Sequence, residues 1–363
     1  MSLIESSRVP TGAEYQRRLQ LGFPFRDVPQ TGSSNIPDNE QLDYLFAHPS
    51  ICHSAYPHAK PRNEFERVVR RSGRFAMSLE PRLIPLPGEE AAEDVHFGLP
   101  YGVSPRVLTV WAATLLNNPA RSDTDNVLEV GPIGEFMAAL GRSYSGPTLL
   151  TTKIQMLRLA FCQMTMVMDN QEVEGVSGVS LFDGAYLEKG TLRKYKEGQF
   201  ADIKWPQALR VTDGMAKTFR KYFVPIPTSR LREVADSAMA TDLFLYMCYR
   251  LPLIGDNGET DERLSFNVLA KRFGNGVAPS KFKEKFLPAL RAARKAYPEA
   301  DIEVSETEGL ILRKSDPAVL RQSFINGAIV TEGGGKEKKR RRSSRRFYNK
   351  DALTLPGIQD AVA

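Results

Sequence analysis

The chain has 363 residues, 42% of them hydrophobic, and a formal net charge of +6, which is room for two or three modest domains that bury cores without metal or disulfide support. No apolar run reaches transmembrane length, and the opening MSLIESSRVPTGAEYQRR lacks the apolar stretch of a secretory leader, so a cytoplasmic protein with no membrane partner is expected. Cys52, Cys162 and Cys248 are too scattered for a disulfide framework and fit a reducing compartment.

Residues 1–37 are rich in Pro, Gly, Ser and Arg without periodicity and read as an irregular arm. A short helix is predicted next, with Asp38 as N-cap, Leu42, Leu45 and Phe46 at helical spacing, and Pro49 as its stop. Arg74 to Leu79 reads as a strand and Leu83 to Asp94 as a linker, which puts a domain boundary near residue 95. His48, Cys52, His53 and His58 are zinc-competent types, but their spacing matches no standard finger, and no metal site is expected there.

From Ser104 the pattern turns helical, with Val107, Leu108, Trp111, Leu115 and Leu116 at three- and four-residue spacing and Pro105 in the first turn. A second helix is predicted over Pro132 to Leu140 and a third from Gly146-Pro147. On that third helix Leu150, Ile154, Leu157 and Phe161 share one face. Thr148, Thr151, Thr152, Gln155 and Arg158 form a polar stripe opposite, of the chemistry that bonds base edges and phosphates; an ordinary solvated helix face is the alternative. Three strand-like runs, Gln163 to Met168, Val173 to Phe182 and Phe200 to Thr212, would form a β-wing, with Leu192 to Gly198 at its tip.

Helices follow over Thr212 to Phe223 and Thr228 to Leu251, the latter interrupted near Asp236-Ser237; Cys248 reads as a small core hydrophobe. A short helix, Ser265 to Phe273, leads through Gly274-Asn-Gly276 into a helix over Lys281 to Tyr297. That helix would bury Phe282, Phe286, Ala289, Leu290 and Ala293. Its outside, opened by Ser280, carries Lys281, Lys283, Lys285, Arg291, Arg294 and Lys295 against Glu284, the balance expected of a DNA-contacting helix. Pro288 predicts a kink near Glu284. Ile302 to Val304 and Leu310 to Arg313 then read as a second wing with Arg313 and Lys314 at its exit.

Charge is concentrated near the C-terminal end. Residues 336–350 hold nine Lys or Arg against one Glu, a local +8 that leaves −2 for the rest of the chain. Lys338, Lys339, Arg340, Arg341, Arg342, Arg345 and Arg346 belong to this run, which reads as a solvated, disordered tail suited to a polyanion. No P-loop is present, since Gly333-Gly334-Gly335-Lys336 lacks its spacing, and no His-x-His metal pair of a nicking enzyme occurs. Asp123-Thr-Asp125 reads as a solvated loop. No cofactor and no catalytic residue are expected.

Several local sequences together resemble plasmid replication initiators of the RepA type, over about Cys52 to Pro317. They are Cys52 with Pro57-His-Ala-Lys-Pro61, Gly98-Leu-Pro-Tyr-Gly102 with Pro105-Arg106 and Trp111, Val224-Pro-Ile-Pro227, Leu245-Tyr246 with Tyr249-Arg-Leu251, and Tyr297-Pro-Glu-Ala300. The resemblance implies two winged-helix domains that bind double-stranded DNA at repeats in a plasmid origin and at the gene's own promoter. It further implies opening of the adjacent duplex, recruitment of the host initiator and replicative helicase, and a homodimer-monomer switch. The expected fold is therefore α+β, two tandem winged-helix (helix-turn-helix plus β-wing) domains, with an arm and linker over 1–95, domains over 96–213 and 214–330, and a basic tail over 331–363. A transcriptional regulator without a replication role, a DNA-processing enzyme, and a structural or RNA-binding protein that uses the tail alone are the alternatives from sequence.

Overall fold

The computed structural model describes residues 44–331 apart from internal stretches, chiefly 87–93, 118–124, 132–135, 138–144, 170–173 and 255–259. Residues 1–319 form one compact unit and 320–363 a second. The fold is mixed α and β.

The first described element is a strand, β1 (Tyr44–Ala47), where a helix was expected, and a helical turn, α1 (Pro49–His53), follows it. Pro49 opens this turn instead of ending one, since the first helical position needs no N–H. Next come β2 (Val68–Ser72), β3 (Phe75–Pro81), β4 (Leu83–Pro85) and β5 (Asp94–His96). The strand predicted over 74–79 is β3. The segment read as arm and linker is thus rich in strands from residue 44 onward: β2 pairs with β3 and β4 with β5, while β1 and β3 also find distant partners in Val224–Pro227 and Cys162–Asp169.

Helix α2 (Val103–Leu116) follows Gly102 and is buried almost all round. After β6 (Val127–Glu129), the predicted second helix falls mostly outside the described residues, although Phe136 and Met137 are helical and buried. Then come α3 (Gly146–Ala160), β7 (Cys162–Asp169), β8 (Glu174–Gly178) and β9 (Phe182–Tyr186). The segment expected at a wing tip is a helix, α4 (Thr191–Lys196), anchored by buried Tyr195. The chain continues through β10 (Ala208–Val211), α5 (Asp213–Lys221), β11 (Val224–Pro227), α6 (Thr228–Val234) and α7 (Ala238–Arg250). Ser237 starts α7 by accepting from the Ala240 N–H, so the interruption predicted at Asp236-Ser237 is real.

The unit closes with β12 (Asp261–Leu264), α8 (Phe266–Phe273), α9 (Pro279–Ala296), β13 (Ile302–Ser305) and β14 (Gly309–Arg313). In the second unit, β15 (Gln322–Ile325) and β16 (Ala328–Thr331) form an antiparallel hairpin.

The strands of the larger unit pair antiparallel in orders β1-β11, β2-β3-β7-β8, β4-β5, β6-β10-β9 and β12-β14-β13. β1 lies against β11 with Leu45 opposite Ile226, so the N-terminal strand closes the core of the C-terminal half. One large apolar cluster gathers α7, α9 and β14 with α1 and β11, and another gathers α2, α3, β3, β7 and α5.

Between these clusters lies a buried charged group. Arg106 of α2, fully buried, meets Asp242 of α7 in a two-point contact, Nε to Oδ1 at 2.6 Å and Nη2 to Oδ2 at 2.7 Å. Its remaining N–H groups donate to the carbonyls of Gly102 and Tyr56, each at 2.5 Å. His58 Nε2 reaches Asp242 Oδ2 at 2.8 Å. Gly102, at φ +78°, lets the chain turn so that its N–H donates to the Pro57 carbonyl at 2.8 Å. Burial by itself would raise the Asp242 carboxyl, but Arg106 and the His58 hydrogen bond outweigh it and hold the group below the ordinary carboxylate range. Burial lowers the His58 imidazole against the opposing pull of Asp242, so at neutral pH it donates as a neutral ring.

Two outcomes follow. Asp242→Asn leaves Arg106 charged and buried, so it should cost about 3–5 kcal/mol in urea unfolding at neutral pH. Burial also pushes the His48 imidazole down from 6.5 to about 3. Between those values the unfolded chain binds the proton and the folded chain does not, so stability falls as pH drops. His48→Leu should therefore lose less stability than the unaltered protein between about pH 7.5 and about pH 5, read from urea midpoints.

Candidate nucleic-acid interface

Helix α8 begins at Ser265, whose hydroxyl accepts from the Val268 N–H at 3.3 Å, and it packs Leu269 and Phe273 inward. The next helix, α9, buries Phe282, Phe286, Ala289, Leu290 and Ala293, the set its periodicity predicts. Phe282 and Phe286 lie 4.9 Å apart between ring centroids, and Phe273 and Phe266 each approach Phe286 at 6.4 Å. At its far end, Arg230 of α6 holds Glu299 through two contacts of 2.5 and 2.6 Å and donates to the Ala296 carbonyl, while the Tyr297 hydroxyl donates to the Asp316 carbonyl. The helix is clamped from inside and from its C-terminal end.

Its outer surface is left to solvent. Lys281, Lys283, Glu284, Lys285, Pro288, Arg291, Arg294 and Lys295 are all exposed, and α9 is helical through Pro288. Pro288 is exposed, and the helix continues past it. Among the described residues, Lys281, Lys285, Arg291, Arg294 and Lys295 form no ion pair, so their charges reach solvent unneutralised. Lys283 differs, with its Nζ 4.0 Å from the Phe266 ring centroid, held back over α8. Ser280 lies in the first turn of α9, and its side chain is outside the description.

β12, β13 and β14 form the sheet beside this helix pair. Gly309, at φ +115°, opens β14 where an added Cβ would lie 2.1 Å from the Leu264 carbonyl oxygen, so this close approach of strands requires glycine. Arg313 was expected to face DNA but is spent within the hairpin, with Nη2 2.6 Å from Glu303 and Nη1 3.3 Å from Asp301. Both acids are more than half exposed, so β13 presents negative charge. Lys314, next in the chain, is exposed.

The polar stripe on α3 has another fate. Thr151 is exposed and Thr148 half-buried, its hydroxyl 2.9 Å from that of Ser145, but Thr152, Gln155 and Arg158 are buried. The Thr152 hydroxyl faces that of Ser104 at 3.4 Å, and Gln155 Oε1 accepts from the Tyr101 N–H at 2.7 Å. Arg158 meets Glu64 at 2.5 Å, the Tyr195 hydroxyl at 3.1 Å and the Leu99 carbonyl at 3.3 Å. These three groups hold the Gly98–Gly102 turn and α4 against α3 and cannot reach a groove in this arrangement. The helix is enclosed from two sides because Met156 and Leu159 interrupt the stripe and pack into one cluster, while Leu157 packs with Phe97 and Tyr195 in another. Lys338, Lys339, Arg340, Arg341, Arg342, Arg345 and Arg346 lie outside the described residues.

Of the zinc-competent group, His58 serves Asp242, the His48 ring lies 2.6 Å from the Ser50 hydroxyl, and Cys52 is buried in the core. Burial drives Cys52 and Cys248 well above the ordinary thiol range and pushes Cys162 up to about 12. Among the described residues no helix is long and apolar enough to cross a membrane.

The described site is thus a helix with a basic outer face braced by an apolar core. Residues 99–267 match the family model of the plasmid encoded RepA protein, the family that Gly98–Gly102 and Val224–Pro227 resemble. Two crystal structures of domains 2 and 3 of RctB are also similar. One has 11% identity over 78% of this chain and 95% of that chain; the other has 10% over 72% and 94%; the TM-score is 0.41 for each. No curated protein matches the chain.

The two helices should respond oppositely to truncation. Arg158→Ala removes a buried partner of Glu64, the Tyr195 hydroxyl and the Leu99 carbonyl and should cost about 1–3 kcal/mol in urea unfolding, whereas Arg291→Ala should change stability by no more than about 0.5 kcal/mol.

Proposed function

We propose that the chain binds double-stranded DNA through α9, at repeated sequences in a plasmid origin and at its own promoter, and does so without a catalytic site of its own. The observation that carries this reading is the exposed face of α9, where five cations stand unpaired on a helix whose opposite side is locked by phenylalanines. Such a face suits the major groove, with lysines neutralising phosphates and arginines reaching base edges. The element order supports a winged-helix reading of this half: α7, β12, α8, α9, β13 and β14, with the sheet ordered β12-β14-β13. The earlier half runs in a parallel sequence of α2, β6, α3, β9 and β10 with its sheet ordered β6-β10-β9, which supports a second winged helix interrupted by β7 and β8.

In this reading the wing contributes little to phosphate binding, because Arg313 is neutralised by its own acids. The first half acts mainly as a scaffold, with Thr148 and Thr151 as its remaining candidates for a groove. The basic run at 336–350 adds salt-sensitive, sequence-independent affinity. Binding to the repeats opens the neighbouring duplex and brings in the host initiator and replicative helicase, and a dimer form represses the gene.

The test is fluorescence anisotropy on DNA flanking the gene and on a shuffled duplex of equal composition, across a salt series. Arg291→Ala and Arg294→Ala should weaken binding to the native fragment by about 1–3 kcal/mol, more than to the shuffled one. Equal losses on both would reduce these residues to phosphate contacts. Native and shuffled DNA bound alike by the unaltered protein would overturn the reading.

A further inference from the structure

A second surface, formed by residues 60–67 with β4 and β5, has a different chemistry. The Leu99 N–H donates to the Glu64 carbonyl at 2.7 Å, and Asn63 Oδ1 accepts from the Phe65 N–H at 3.1 Å, so the backbone at 63–65 is pinned in place. Phe65 lies over His96 of β5, with ring centroids 4.1 Å apart and planes at 29°. His96 stands opposite Leu83 in the β4–β5 register. Phe65 is 45% exposed and Leu83 57% exposed, and neither belongs to a core cluster. With one face of the Phe65 ring on the imidazole, its exposure belongs to the other face and the edge.

The stretch of chain that carries this ring is rich in cations. Arg62 and Arg71 are exposed and, among the described residues, form no ion pair. Arg67, 64% exposed, reaches Glu80 only at 3.7 Å. Lys60, 58% exposed, shares Glu64 with Arg158, which leaves Glu66 as the acid of this segment without a cationic partner. The half-exposed ring offers a flat π-surface, and Arg62 and Arg67, three and two residues from it in the chain, carry charge suited to phosphates.

We propose that Phe65, backed by His96 and flanked by Arg62 and Arg67, is a stacking platform for the unpaired bases of single-stranded DNA. Duplex DNA offers groove edges and phosphates but keeps its base faces stacked on each other, so an exposed ring of this kind finds a partner only on an unpaired strand. Two exposed apolar side chains are too small for a stable protein interface, which buries roughly 800 Å² per partner. The proposal stands apart from the duplex-binding role of α9 and does not require it.

The test uses the full-length protein with three fluorescein-labelled probes: a fifteen-residue oligo-dT, an abasic strand with the same number of phosphates, and a duplex. Phe65→Ala should weaken oligo-dT binding by about 5- to 100-fold, the loss of one base–aromatic stack, and leave abasic strand, duplex and urea midpoint unchanged. Phe65→Trp should keep oligo-dT affinity and gain an emission, over that of the unaltered protein, that is quenched by oligo-dT and not by the abasic strand. If Phe65→Ala destabilises the fold, the tryptophan variant decides. Unchanged oligo-dT affinity with Phe65→Ala, parallel losses on all three probes, quenching by both strands, or a loss of self-association in place of strand binding would each overturn the platform.

Discussion

The contact between Arg106 and Asp242 is the constraint on which the rest of this molecule depends. Two charges removed from water are tolerable only when geometry is close and the remaining donors are satisfied. Here the guanidinium is spent on the carboxylate and on the carbonyls of Tyr56 and Gly102, and the carboxylate also accepts from His58. Three stretches distant in sequence must therefore arrive together: Tyr56 to His58, Gly98 to Gly102 with the α2 that follows it, and α7. The Pro57-His58 and Gly98–Gly102 sequences that signalled the family are the residues that complete this junction. Because α7 is the helix against which α9 packs, the same contact sets where the basic face lies relative to the first half of the unit.

α3 and α9 show how one kind of surface can meet two ends. Both helices carry polar stripes at helical spacing. On α3 the stripe is Thr, Gln and Arg, groups that bond main-chain amides and carbonyls as readily as they bond base edges, and the Gly98–Gly102 turn and Glu64 take them. On α9 the stripe is lysine-rich, and each ammonium would lose several kcal/mol of hydration on burial without a carboxylate to meet it. Its exposure was decided by composition, that of α3 by neighbours.

Electrostatics divides the surface further. The hairpin beside α9 directs Asp301 and Glu303 outward and neutralises Arg313, which confines positive potential to the helix itself. The exposed Phe65 ring instead lies in a stretch of chain with Arg62 and Arg67 exposed. In the proposed function, duplex phosphates and unpaired bases meet different chemistry on one chain.

By itself the sequence determined the existence of α2, α3, α7, α8 and α9, the break at Asp236-Ser237, the inward phenylalanines of α9 and its cationic outside, because these follow from local periodicity, capping and the cost of burying lysine. Arg106 entered the sequence reading only through the Pro105-Arg106 motif and Asp242 not at all, because nothing local connects the two charges. Tertiary structure alone decided that Tyr44–Ala47 is a strand, since its partner Val224–Pro227 lies far away in sequence, and that Thr191–Lys196 is a helix held by buried Tyr195. It also decided that Thr152, Gln155 and Arg158 turn inward, because a polar group goes wherever its hydrogen bonds are satisfied, and those partners come from segments no local pattern connects.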